Sequence, residues 1–140
     1  MQAPAAHSSL PEPVLTVVVG GGTMGADVAV VLARGGARVT VVEPNAAQRE
    51  RLIPHVQAEL ATAGLGDRAA LVTSCARLED VAWPGVALVV ECITEQLAPK
   101  QALFAELVRW APASTVLTSN SSGFPISAIA GDLPTAQRML

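Results

Sequence analysis

The sequence is poor in charge and in aromatic rings. Of its 140 residues, 15% are charged, 3% are Phe or Trp, and tyrosine is absent. There are 9 Lys+Arg against 12 Asp+Glu, with no basic run and no aromatic stripe, which excludes a general nucleic-acid binder. A local anion site stays open, because backbone N–H groups need no net positive charge. Cysteine is scarce too: Cys75 and Cys92 share no short metal-ligand spacing and read as reduced, buried thiols. The opening MQAPAAHSSLPEP has neither a basic segment nor an apolar run, unlike a secretory signal. No apolar stretch approaches the roughly 18 residues of a membrane span. A reduced, cytoplasmic protein is the expectation. Small and β-branched side chains take the place of the missing rings: 25 Ala and 18 Val. They suit closely packed helices on a Val-rich sheet, in one domain of ordinary size.

The order of segments predicts the architecture. Residues 1–13, with three prolines and His7, read as a flexible tail. LTVVVG at 15–20 is a strand covered on both faces, ADVAVVLARGG a small-residue helix closed by Gly35 and Gly36, and ARVTVVE at 37–43 a second buried strand. Residues 44–64 read as helix with a kink or break at Pro54. Strands follow at 70–74, 85–93 and 114–120, with a helix over 98–111 whose apolar side is Leu103, Phe104, Leu107, Val108 and Trp110. A turn at 77–81, a short helix at 124–131 and the beginning of a sixth strand at the terminal AQRML complete the pattern. Val-rich strands alternating with helices predict an α/β fold of the doubly wound, Rossmann type with a mostly parallel sheet, truncated near the start of its sixth strand.

Gly20-Gly21-Gly22-Thr23-Met24-Gly25 satisfies G-x-G-x-x-G between a buried strand and a helix. Glu43 ends the next strand, 18 residues beyond Gly25. That is the context in which the pattern signals a dinucleotide site. Gly20 permits the tight turn, Gly22 the approach of a pyrophosphate, and Gly25 close packing of helix on sheet. The helix N-terminus offers its N–H groups to phosphate. Glu43 would accept both ribose hydroxyls and repel a 2′-phosphate, which favours NAD over NADP; Arg49 is the counter-candidate for a phosphate. FAD, or a glycine turn that binds nothing, are the alternatives.

Open α/β sheets bind ligands beyond the carboxyl ends of their strands. Two polar clusters fall there, Glu91-Cys92-Ile93-Thr94-Glu95 and Ser119-Asn120-Ser121-Ser122-Gly123. Asn120 is placed to bond the cofactor ribose or amide, Ser122 to donate to a substrate oxygen, and Glu91 to orient polar groups near the ring. Capping of turns is the plainer role for these residues, Ser121 above all. Lys100, the single lysine, would pair with Glu95 or Glu106 if it does not touch a ligand. A base is missing: His55 falls mid-helix and reads as a surface or packing residue, and the cysteines read as core.

These blocks together resemble the N-terminal NAD-binding domain of the L-3-hydroxyacyl-CoA dehydrogenase family, whose relatives include dehydrogenases of small 3-hydroxy acids. The resemblance rests on VVVGGGTMGADVAVVLARGGARVTVVE, on VVECITEQLAPKQALFAEL and on LTSNSSGFPISAIA, and runs over about residues 14–140. It implies a cofactor cradle of Gly20, Gly22, Thr23, Met24, Gly25 and Glu43, completed by Glu91, Glu95, Lys100 and Asn120. It implies Ser122 as the catalytic serine and NAD as cofactor. A 3-hydroxyacyl-CoA or a small 3-hydroxy acid is the implied substrate, in fatty-acid metabolism for the former. Gly123 replaces a serine common in the family, which leans toward the small-acid branches and keeps both substrate classes open. The family's catalytic histidine segment and its helical, dimerising C-terminal domain have no counterpart in the chain. The expectation is therefore the NAD-binding part of a homodimeric parent, with little or no turnover of its own. A non-catalytic nucleotide-binding or interaction domain is the other reading.

Overall fold

The computed structural model describes residues 11–134 and 136–140. The tail expected over 1–13 falls mostly outside these, and His7 falls outside them entirely. Strands β1 (Leu15–Val19), β2 (Arg38–Val42), β3 (Val72–Cys75), β4 (Val86–Glu91) and β5 (Val116–Ser119) form one sheet in the order β3-β2-β1-β4-β5. All four pairings are parallel. Helices α1 (Thr23–Arg34), α2 (Ala46–Thr62), α3 (Leu97–Trp110) and α4 (Ile126–Ala130) connect or follow the strands.

Side chains alternate across the pleat, so an unbroken valine run serves two cores. Val18, Val39 and Val41 face α1 and α2, where Ala26, Ala29 and Ala33 let α1 lie close to the sheet. Val17, Val19 and Val89 face the other way, onto Phe104 and Leu107 of α3 and Ile129 of α4. This two-sided burial is why the central strands β1 and β4 are built mainly of valine and leucine.

Asn45 begins α2 by accepting the Gln48 amide on its side chain at 3.1 Å. The helix then runs unbroken through Pro54. The predicted break is absent because Leu52, Val56 and Leu60 anchor one face to the sheet. Pro54 lies on the exposed face, where water can serve the carbonyl that proline leaves without a donor.

Short 3-10 turns occupy 66–71, 78–80 and 136–138. The first takes two residues from the strand expected at 70–74, which starts instead at Val72. After the last turn, Met139 bridges Leu117 in parallel, with Leu140 N on Leu117 O at 2.8 Å. A sixth position thus opens beside β5, on the side the doubly wound order requires. Among the described residues no helix is long and apolar enough to cross a membrane.

Candidate cofactor-binding site

β1 and β4 are adjacent in the sheet, and the chain leaves them in opposite directions, toward α1 and α3. This is the crossover point of the sheet. Here Gly20 N donates to Val42 O at 2.8 Å and Cys92 N to Val19 O at 2.7 Å, locking three strand ends together. Gly20 has φ +104°, and a Cβ on it would stand 2.6 Å from Cys92 O. A Cβ on Gly25 would stand 1.7 Å from Gly20 O. Both glycines are therefore demanded by the chain's own packing. Gly21, to which the sequence reading gave no role, is demanded too: its Cβ would meet the Glu43 side chain at 2.9 Å.

Gly22 differs. The nearest atom to a Cβ there is Gln48 Oε1, at 3.9 Å. Nothing inside the protein requires glycine at this position. Gly22 caps α1 with no side-chain oxygen, so the first amides of the helix have no acceptor from the cap. A bare backbone and free donors at the mouth of a cleft fit the phosphates of a dinucleotide.

The cleft measures about 710 Å³, and its walls include Gly20, Gly22, Glu43, Cys92 and Thr94. Glu43 is 8% exposed. Its carboxylate is aimed by two backbone amides: Gly21 N on Oε1 at 3.0 Å and Asn45 N on Oε2 at 2.8 Å. Each oxygen keeps acceptor capacity for a hydroxyl. Arg49 spends Nη1 on Glu43 O and Pro44 O, at 2.7 and 2.8 Å, which ties the counter-candidate for a 2′-phosphate to the backbone.

The remaining site residues separate. Thr23 lines a smaller hollow of about 370 Å³ between α1 and α2, and Met24 is exposed. Asn120, Ser122 and Glu95 are exposed beyond β4 and β5. Ser121 donates to Glu95 and accepts Phe124 N at 3.0 Å, the turn-forming role expected of it. Glu91 and Lys100 are 0% and 1% exposed and bond each other at 2.5 Å. Both therefore lie beneath the surface that Asn120, Ser122 and Glu95 present. Lys100 pairs with neither Glu95 nor Glu106.

Trp110 is also corrected. It is 44% exposed rather than part of the core face. Phe104, Leu107 and Ala111 bury against the sheet, while Leu103, Glu106 and Trp110, at the same helical spacing one stripe over, form a wall of the cleft. Ala76–Glu79 complete that wall, and the sequence reading passed over them. Their position after β3, at the same sheet edge, was the available signal.

Cys92 lines the cleft, but its thiol is pushed up to about 11, first by desolvation and then by the Glu91 charge. Burial likewise raises Cys75. A raised thiol pKa lowers the thiolate fraction, so at pH 7 Cys92 holds far less thiolate than a free cysteine. Iodoacetamide is expected to label the folded chain far more slowly than a free thiol at pH 7, with the rate rising toward pH 10. Mass spectrometry of labelled Cys92 checks this, and rapid labelling at neutral pH would contradict it.

The parallel sheet, the glycine loop at its crossover and the strand-end acid define a dinucleotide-binding domain of the Rossmann type. The chain belongs to the 3-hydroxyacyl-CoA dehydrogenase family: the model of that family's NAD-binding domain matches residues 15–140. It is 35% identical over 129 residues to 3-hydroxyadipyl-CoA dehydrogenase of Escherichia coli K12, covering 87% of this chain and 27% of that enzyme. It is 35% identical over 133 residues to a 3-hydroxybutyryl-CoA dehydrogenase of Mycobacterium tuberculosis, covering 88% of this chain and 46% of that one. A crystal structure of 3-hydroxybutyryl-CoA dehydrogenase from Escherichia coli K12 superposes with a TM-score of 0.82 at 30% identity, over 92% of this chain and 29% of that one. The chain thus spans less than half the length of these relatives.

Proposed function

We propose that this chain is the cofactor-holding part of an NAD-dependent dehydrogenase acting on a 3-hydroxyacyl-CoA or a small 3-hydroxy acid. The observation that carries the reading is Gly22, a glycine its own fold does not require, set between uncapped helix amides and the aimed carboxylate of Glu43. The loop amides would hold the diphosphate. Glu43 would accept the adenosine ribose hydroxyls. Asn120 and Glu95 would bond the ribose or amide at the other end, and Ser122 would donate to the substrate oxygen. Bound NAD would supply the hydride acceptor.

Glu91 is proposed to act from behind this surface, and Lys100, which pairs with it, to complete the cradle on the α3 side. A proton acceptor for the substrate hydroxyl is the part the described residues do not place beside Ser122. Their one histidine, His55, sits on α2 with Nε2 3.2 Å from Asp27 Oδ1. We therefore expect the chain alone to bind NAD and turn over little.

Calorimetric titration is expected to give NADH at least about tenfold tighter binding than NADPH, because the Glu43 carboxylate opposes a 2′-phosphate. Equal or tighter NADPH binding would refute the role of Glu43. A turnover of about 1 s⁻¹ or more with either substrate class would refute the low-turnover reading. It would also dispose of the alternative, a domain that binds nucleotide without catalysis.

A further inference from the structure

Glu91 stands at the end of β4 with its carboxylate wholly buried, and that carboxylate reaches three other segments. Oε1 takes Lys100 Nζ from α3 at 2.5 Å and the Ile93 amide at 2.7 Å. Oε2 takes the Ser119 hydroxyl, at the end of β5, at 2.5 Å. Ser119 Oγ, having donated its proton to Glu91, accepts the Ser121 amide at 3.1 Å. The Glu91 carbonyl accepts the Asn120 amide at 2.9 Å. Lys100 also donates to Ile93 O at 3.3 Å, so its ammonium braces the loop that leaves β4.

A buried ion pair is a poor way merely to fill a core, since apolar residues of similar size serve stability as well or better. What charge-assisted bonds add is direction. Here the donors converge on one carboxylate from α3, from the loop after β4 and from the end of β5, so Glu91 ties the three together and, through Ser119, reaches the turn after β5. Two consecutive backbone amides of that turn, Asn120 and Ser121, are pinned by Glu91 and by the hydroxyl Glu91 orients. The next residue is Ser122, whose side chain is left exposed.

We propose that Glu91 and Ser119 are positioning residues that set the Asn120–Ser122 turn against the nicotinamide end of the cofactor without touching it, with Lys100 holding the Glu91 carboxylate in place. The inference rests on the dehydrogenase reading above. Ser119 is the residue through which to test it, because Ser119→Ala cuts the chain at its last link and leaves the Glu91–Lys100 pair intact.

Affinities for NADH and for ADP are compared, since ADP has the adenosine and diphosphate but no nicotinamide riboside. In Ser119→Ala, NADH affinity is expected to fall about fivefold, the effect of one misplaced hydrogen bond, while ADP affinity holds within twofold or so. Thr118→Val is the control: it removes a neighbouring, partly buried bond, Thr118 Oγ1 to Val89 O at 2.8 Å, without touching the turn. It should leave the ratio of NADH to ADP affinity unchanged. Hydrogen exchange of the Ser121 amide, read without nucleotide, should quicken about tenfold in Ser119→Ala while the β1 amides stay protected. Equal weakening of both nucleotides, no change in either, or unaltered Ser121 exchange overturns the positioning role. A wild-type chain that binds neither nucleotide overturns the dehydrogenase reading instead, and is seen before any variant is made.

Discussion

Gly25→Ala is expected to destabilise the fold by about 3 kcal/mol or more, at the upper end for overpacking. The added Cβ would stand 1.7 Å from a backbone oxygen, Gly20 O, and no rotamer change relieves a clash between main chain and main chain. Relief would require α1 to move off the sheet, opening the layer of Ala26, Ala29 and Ala33. Set against a total stability of about 5–15 kcal/mol, the loss should appear as a large fall in the urea midpoint. Gly22→Ala, three residues away, should behave oppositely. Its Cβ finds only a side-chain atom at 3.9 Å, so the stability cost should stay within about 1 kcal/mol, that of a poorer N-cap. NADH affinity should nevertheless drop about 30- to 100-fold, as the methyl occupies the place of a phosphate. Urea unfolding and calorimetry on the two variants separate the glycine the fold needs from the glycine the ligand needs. A Gly22→Ala chain that binds NADH normally would remove the phosphate cradle from the proposal.

The same contrast marks how far the sequence could be read. The strand and helix order, the parallel sheet and the positions of Gly20, Gly22, Gly25 and Glu43 were all legible, because each follows from local rules: buried β-branched runs, glycine punctuation and a strand-end acid. Three things were not. The continuity of α2 through Pro54 depends on anchoring by the sheet, which overrides the local cost of proline. The exposure of Trp110 depends on which of two adjoining stripes of α3 meets the core, and both stripes carry large apolar residues. The partner of Lys100 is not legible from spacing, because Glu95 and Glu106 both lie nearer to it in sequence than Glu91 does. The structure chose Glu91 because β4 ends where α3 begins its descent, bringing a buried acid within reach of the long lysine stem. Periodicity assigns faces; it does not say which acid closes a contact across layers.

That contact leads to the second large effect. Lys100→Met is expected to cost about 3–5 kcal/mol, because it leaves Glu91 charged and unpaired in a site with no exposure. The Ser119 hydroxyl and the Ile93 amide would remain on the carboxylate, but two neutral donors do not replace an ammonium at 2.5 Å. Glu91→Gln combined with Lys100→Met removes both charges. The glutamine carbonyl can still accept the Ile93 amide while its NH₂ faces Ser119, and methionine fills the lysine stem's volume. The double variant should therefore recover a large part of the loss, giving a coupling of at least about 1 kcal/mol in a double-mutant cycle. Urea midpoints of wild type, both singles and the double measure it. Strictly additive losses would mean that the two residues act separately, and the pair would then no longer explain why one lysine in this chain lies buried under the loop after β4. Recovery of stability without recovery of the NADH-to-ADP affinity ratio would separate what the pair does for the fold from what its directed bonds do for the turn.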